Sequence, residues 1–324
     1  MDLSFLIERK KEGGLLSVEL LTLAYMLITT VMIALHYGSL PSPDTMLGNR
    51  VMMLCIMAAT NVVYCIYPCR LSVVLRVVPI ILGLIIWYPE TYDFSAVYAN
   101  KDHIFATADE VLFGCQPSLE FSRIFSGAFW SEAFCMGYYA YYYMMALMVF
   151  FYLLFRYDQF ERASFVFLSV FFVYYLIFDF LPVAGPQYYF KAIGIDNALA
   201  GHFPELGHYF QTHLESLRLP SHGIFSDLVA GAQEVGERPT AAFPSSHVGM
   251  STVTMILVWK ARNRWLFWCL MPFFVLLCCA TVYIKAHYLV DSIAGLMTAF
   301  IFYYLADWCY CRFSKSVPLL HRAR

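Results

Sequence analysis

Ala242-Phe243-Pro244-Ser245-Ser246-His247-Val248-Gly249 and Tyr283-Ile284-Lys285-Ala286-His287-Tyr288-Leu289-Val290-Asp291 each stand where an apolar run meets a polar loop. Proline tolerates the first turn of a helix and serine caps its free N–H groups. Pro244, Ser245 and Ser246 therefore mark a helix start, and His247 falls in the first turn. His287 and Asp291 are four apart, so on a helix they share one face. Between the two stretches run apolar segments 248–258 and 266–283, joined by Lys260, Arg262 and Arg264. A helical hairpin of that kind returns both histidines to one side of a membrane.

Two histidines and a carboxylate at one membrane surface, beside a helix N-terminus that favours anions, suit phosphate chemistry. One imidazole can attack phosphorus while the other protonates the leaving oxygen. Asp291 can hold a ring nitrogen of His287 in one tautomer, as the carboxylate of a catalytic triad does. Lys285 and Arg238 can neutralise phosphate oxygens, and Ser245, Ser246 and the N–H groups around His247 can donate hydrogen bonds to them. A metal site built on His247, His287 and Asp291 would lack a fourth ligand. The loop histidines His202, His208, His213 and His222 match no standard zinc spacing and read as solvated.

The rest of the composition agrees with a membrane setting. Of 324 residues, 60% are hydrophobic and 14% charged, against about 25% charged in a soluble domain. Several runs are long enough to span a bilayer, which gives an all-α polytopic helix bundle of about eight spans. The net charge of −2 gives no reason to expect a nucleic acid partner. The ten cysteines lie mostly within apolar runs, so no disulfide scaffold is indicated.

In chain order, the spans fall at about 20–35, 51–67, 71–88, 133–155, 163–183, 246–259, 265–283 and 287–306. Residues 1–70 hold two N-terminal spans, and 71–324 hold a six-span core with polar loops at 89–131 and 187–240. Spans two and three are short, and a re-entrant pair is the alternative. Arg76 lies near a span end, where it can snorkel. Segment 117–130 alternates polar and apolar residues and reads as an interfacial amphipathic helix. Tyr138, Tyr139, Tyr141, Tyr142 and Tyr143 read as an interfacial aromatic belt. Basic residues cluster at one set of span ends, including Arg9, Lys10 and Lys11, the 260–264 turn, and the C-terminal tail. The positive-inside rule then puts both chain ends in the cytoplasm and both histidines outside. A transporter is the rival of another class. Only Glu19 and Arg76 stand out as ionisable residues within spans, near their ends, which counts against it.

Pro244-Ser245-Ser246-His247 resembles the second motif of the type 2 phosphatidic acid phosphatase superfamily. His287-Tyr288-Leu289-Val290-Asp291 resembles its third. The resemblance covers about 71–324 and implies a six-span core, no metal and no organic cofactor. It also implies His287 as nucleophile, Asp291 as its partner, and His247 as general acid and then base, through a phosphohistidine. Thr281 stands where the family often has arginine, with Lys285 nearby as the alternative cation. The corner Gly185-Pro186-Gln187 stands where relatives often have Gly-Pro-Arg. Gln187 can hydrogen-bond a phosphate but not neutralise it, and a monoester dianion needs more positive charge than a diester. The two extra N-terminal spans and the stretch from Asp109 to Ser118 resemble the inositol phosphorylceramide synthase-like branch. That branch moves a phosphoalcohol headgroup from a membrane phospholipid to a lipid alcohol acceptor. Simple lipid phosphatases share these features, so phosphatidate or isoprenyl pyrophosphate hydrolysis is the alternative.

Overall fold

A computed structural model describes residues 14–217 and 223–316. Arg9, Lys10, Lys11, Arg218, His222 and the tail arginines Arg322 and Arg324 lie outside the described residues. The chain opens with α1 (Ser17–Leu35), α2 (Pro43–Ile66), α3 (Arg70–Leu82) and α4 (Leu84–Phe94). Pro43 sits at the first turn of α2, where its missing N–H costs nothing, so the helix starts well before Val51. α3 and α4 are separated only by Gly83 and form one crossing, 25 residues long. Pro89, read as the end of that span, lies inside α4. It removes one backbone hydrogen bond, but burial of Trp87, Thr91 and Phe94 carries the helix past it. Spans two and three are thus long enough to cross.

Two buried ion pairs join these helices. Arg76 does not snorkel. It is 2% exposed and donates from Nε to Oε1 of Glu19 at 2.8 Å, tying α3 to α1. Arg50, just ahead of the expected 51–67 span, is 5% exposed in the second turn of α2. It donates to Glu90 of α4 at 2.9 Å and to Thr29 of α1 at 2.9 Å. Ionisable groups within spans therefore also include Arg50, Glu90 and Asp179.

The polar connection that follows is largely helical: α5 (Asp102–Phe113) and α6 (Pro117–Ile124). The 117–130 segment is not one amphipathic helix. α6 stops at Ile124 and α7 (Ala128–Phe155) has begun by Ala128. Phe121 and Phe125 turn inward onto Phe134 and Tyr283, so aromatic packing sets the break. α8 (Phe160–Phe180) is the central helix, buried along most of its length. Above it lie α9 (Pro186–Ile193), α10 (Ile195–Leu199) and α11 (Ile224–Gly236). The chain ends with α12 (Ser246–Lys260), α13 (Arg264–Tyr283) and α14 (Leu289–Ser316).

Seven helical segments among the described residues are long and apolar enough to cross a bilayer. The remaining expected span is α12, with 15 residues. At 1.5 Å per residue it is about 22 Å long, short of the ~30 Å hydrocarbon core. It packs against α7, α8, α13 and α14, and all but its last two residues are at least partly buried. Protein rather than lipid surrounds it, so the bilayer does not set its length. The protein is a polytopic all-α membrane bundle in which α12 is enclosed by α7, α8, α13 and α14.

Candidate active site

Ser245 begins the site. Its side chain accepts the Val248 N–H at the start of α12. Its own N–H donates to the Asp291 carbonyl at 3.0 Å, which joins the start of α12 to α14. The approach is close enough that a Cβ on Gly295 would strike the Ser245 carbonyl. Ser245 is fully buried in this cap, away from the cavity described below. Ser246 does line that cavity.

His247 occupies the first turn of α12. Its ring lies 4.8 Å from Tyr138 at an interplanar angle of 25° and 4.5 Å from Tyr141. These two tyrosines are three apart on α7 and face inward, at 1% and 6% exposure. The expected belt therefore divides: Tyr142 and Tyr143 are exposed, while Tyr138 and Tyr141 hold His247. The His247 and His287 rings are 5.7 Å apart between centroids, nearly edge to face.

His287 is not on a helix, because α14 begins at Leu289. It sits on the turn leaving α13, its N–H bonded to the Thr281 carbonyl at 3.0 Å. Its Nδ1 lies 2.8 Å from the Ala242 carbonyl. A carbonyl only accepts, so Nδ1 carries the proton and Nε2 keeps its lone pair. The tautomer is thus set by a main-chain oxygen rather than by Asp291 as expected. Asp291 Oδ2 is 3.9 Å from Nδ1 and instead accepts the Tyr288 N–H at 2.9 Å. Burial pulls the His287 imidazole down to about 4, opposed by the hydrogen bond to Ala242.

α5 clamps this turn from outside. Asp102 accepts the Ala184 and Gly185 N–H groups at 2.6 and 2.8 Å and the Tyr288 hydroxyl at 2.9 Å. Asp109 accepts the Leu289 and Val290 N–H groups, both at 2.9 Å, at the start of α14. Burial raises both carboxyls, Asp109 to about 6, against the opposing hydrogen bonds. Gly185 closes the corner: its φ is +91°, and any Cβ there would strike the Ala286 carbonyl.

A cavity of about 20 Å³ lies between the imidazoles, lined by His247, His287, Ser246, Gln187, Glu237 and Arg238, with Tyr138 beside them. Of the expected residues, the fold brings His247, His287, Ser246, Gln187 and Arg238 to this cavity. Lys285 is not on its wall. Its backbone, at φ +63°, presents a carbonyl to the Gln187 N–H at 2.8 Å. Glu237 is the unexpected member. Its carboxylate accepts Tyr138 Oη at 2.6 Å and Gln187 Nε2 at 2.8 Å, and burial raises its pKa against these bonds. Arg238 is the cation on the wall, its Nη1 donating to the Glu237 carbonyl.

A family model of the PAP2 superfamily matches residues 103–305. The chain belongs to the PAP2 superfamily. The matched segment runs from α5 into α14 and contains every residue of the cavity wall except Tyr88. No curated protein and no solved structure matches the chain. Members of the PAP2 superfamily are generally phosphatases or phosphotransferases, which supports an enzyme acting on phosphate esters. Among the described residues no group of three or more His, Cys, Asp or Glu side chains could hold a metal. Of the loop histidines, His213 stacks on Tyr209 at 4.0 Å and His208 Nδ1 lies 3.3 Å from the Ser95 carbonyl.

Several parts of this candidate site escaped the sequence reading: Tyr138, Tyr141, Glu237, Asp102 and the Ala242 carbonyl. Asp109 lay in a stretch singled out only for its resemblance. The three-residue spacing of Tyr138 and Tyr141 was the one available local signal. Glu237 and Asp102 act across long sequence separations, and a carbonyl has no side-chain signature.

Proposed function

We propose that this chain is a lipid phosphotransferase that works through a phosphohistidine on His287. The observation that carries the reading is the enclosed pair of imidazoles, one with Nδ1–H bound to the Ala242 carbonyl and Nε2 left as a nucleophile. Nε2 of His287 attacks phosphorus, and the P–O bond to the lipid alcohol breaks. Protonated His247 gives that oxygen its proton. His247, now neutral, takes the proton of an acceptor hydroxyl, whose oxygen displaces His287 from phosphorus. Asp291, 3.9 Å behind the ring, stabilises the positive charge that His287 carries while phosphorylated. Arg238, Gln187, Ser246 and the first N–H groups of α12 receive the phosphate oxygens.

The specific reaction we favour moves an inositol phosphate-type headgroup from a phospholipid to a lipid hydroxyl such as that of ceramide. The site then faces the extracytoplasmic or lumenal side, with both chain ends in the cytoplasm. The superfamily also supports plain hydrolysis, with water as the acceptor. The purified full chain, mixed briefly with a phospholipid labelled in its headgroup phosphate and denatured in alkali, should retain label that acid removes. His287→Ala should abolish labelling and turnover. Added ceramide should receive the label under the transferase reading, whereas release of labelled headgroup alone would favour the hydrolase. Normal turnover by His287→Ala would end both.

A further inference from the structure

Glu237 is a carboxylate on the wall of a cavity meant for phosphate, where negative charge opposes binding. It is held there firmly: Tyr138 donates to Oε1 at 2.6 Å and Gln187 to Oε2 at 2.8 Å, and Gln233 donates to Oε1 of Gln187 at 3.3 Å. The cavity between the histidines, about 20 Å³, has room for little more than one water. Beyond the same wall lies a chamber of about 380 Å³. Gln187, Tyr188, Glu237 and Arg238 belong to both linings. The far side of the chamber adds Gln233, Glu234, Ser216 and Ser226. These are amides, hydroxyls and a second carboxylate, and besides the two imidazoles Arg238 is the one basic side chain in either lining.

The charge balance restricts what can enter. Arg238 and the proton on His247 only balance Glu237 and Glu234, so any negative charge a ligand brings is left over. A phosphomonoester brings two and a phosphodiester one, so the monoester is opposed the more strongly. The diester's alcohol then points away from the histidines into a chamber rich in acceptors and donors, where hydroxyls can bond Glu237 and the glutamine amides. We propose that Glu237 selects a phosphodiester monoanion over a phosphomonoester dianion, and that the adjoining chamber holds the hydroxyl-bearing alcohol of that diester. The proposal rests on the phosphoryl-transfer reading of the histidines and adds the residue that sets the substrate class.

The test compares two lipids with the same acyl chains in mixed micelles, phosphatidylinositol as the diester and phosphatidic acid as the monoester, using the full-length protein. Wild-type protein should prefer the diester by about a hundredfold in kcat/KM. Glu237→Gln keeps the side-chain length and an acceptor for Tyr138. It should raise kcat/KM for phosphatidic acid by about tenfold or more, chiefly through KM, and lower it for the diester. Glu237→Asp keeps the charge and should keep the exclusion of the monoester. An unchanged ratio in Glu237→Gln, or equal admission of the monoester by Glu237→Asp, overturns the proposal. If Glu237→Gln does not fold, the wild-type ratio and Glu237→Asp still decide it, because wild-type turnover of phosphatidic acid at the diester rate is incompatible with it. Failure of wild-type protein to turn over either lipid would instead remove the phosphoryl-transfer reading beneath it.

Discussion

Replacing Asp291 by asparagine tests what the carboxylate does. Were its role to fix the tautomer, the substitution would scramble the ring. The Ala242 carbonyl already holds Nδ1–H at 2.8 Å, and that bond survives the change. Asparagine can also keep accepting the Tyr288 N–H through its oxygen, so the turn should stay in place. What disappears is a negative charge 3.9 Å from Nδ1 when the ring becomes positive on phosphorylation. At an effective dielectric of about 20, unit charges at that distance attract by about 4 kcal/mol. The expected loss is therefore about 10³-fold in the rate of forming the labelled intermediate, with little change in KM. Rapid-quench labelling with a headgroup-labelled phospholipid gives that rate, and steady-state turnover gives KM. Labelling by Asp291→Asn within about threefold of wild type would refute the electrostatic role. A large rise in KM would show instead that Asp291 shapes the binding site.

His247→Ala should lose about 10²–10⁴ in rate with an alkoxide leaving group but far less with p-nitrophenolate, which needs no proton; turnover of both esters measures the difference. His287 reacts as the neutral ring and burial holds it down to about 4, while His247 must carry a proton, so labelling should not fall through the ordinary imidazole range as pH drops and should be lost only near 4. A half-fall near 6.5 in the labelling profile would mean the ring titrates as it does in water. Arg50→Met strands Glu90 without its cation and should cost about 3–5 kcal/mol, read as a fall in thermal midpoint in detergent. Arg50→Met with Glu90→Leu should recover most of that loss.

Both histidines were legible because their signals are local. A proline–serine cap announces the start of α12, and His247 follows at a fixed offset. The same local logic misled at His287. Four-residue spacing puts two side chains on one helical face only if both are helical, and α14 starts two residues too late for His287. Its partner is a carbonyl 45 residues earlier, brought in by the seam between Ser245 and Asp291. The expected second span, 51–67, left Arg50 out because α2 was taken to begin after it. A proline at the first turn and a glutamate 40 residues on draw it inside. The tyrosines show the limit of composition, since one run supplies both the wall behind His247 and residues on the bundle surface.

The ion pairs of the first four helices also constrain how the protein is made. Glu19 and Arg50 leave the ribosome before Arg76 and Glu90, their partners, have been synthesised. Glu19 lies in the first turn of α1 and Arg50 in the second turn of α2, so each unpaired charge costs less than the ~3 kcal/mol of a helix centre, yet neither is free of cost in lipid. α1 and α2 are therefore poor substrates for one-by-one release into the bilayer. They are better retained beside the insertion machinery until α3 and α4 arrive, so that the four helices enter as a unit with their charges matched. A chain interrupted after α2 would carry two uncompensated charges in the bilayer, the kind of lesion that membrane quality-control proteases recognise.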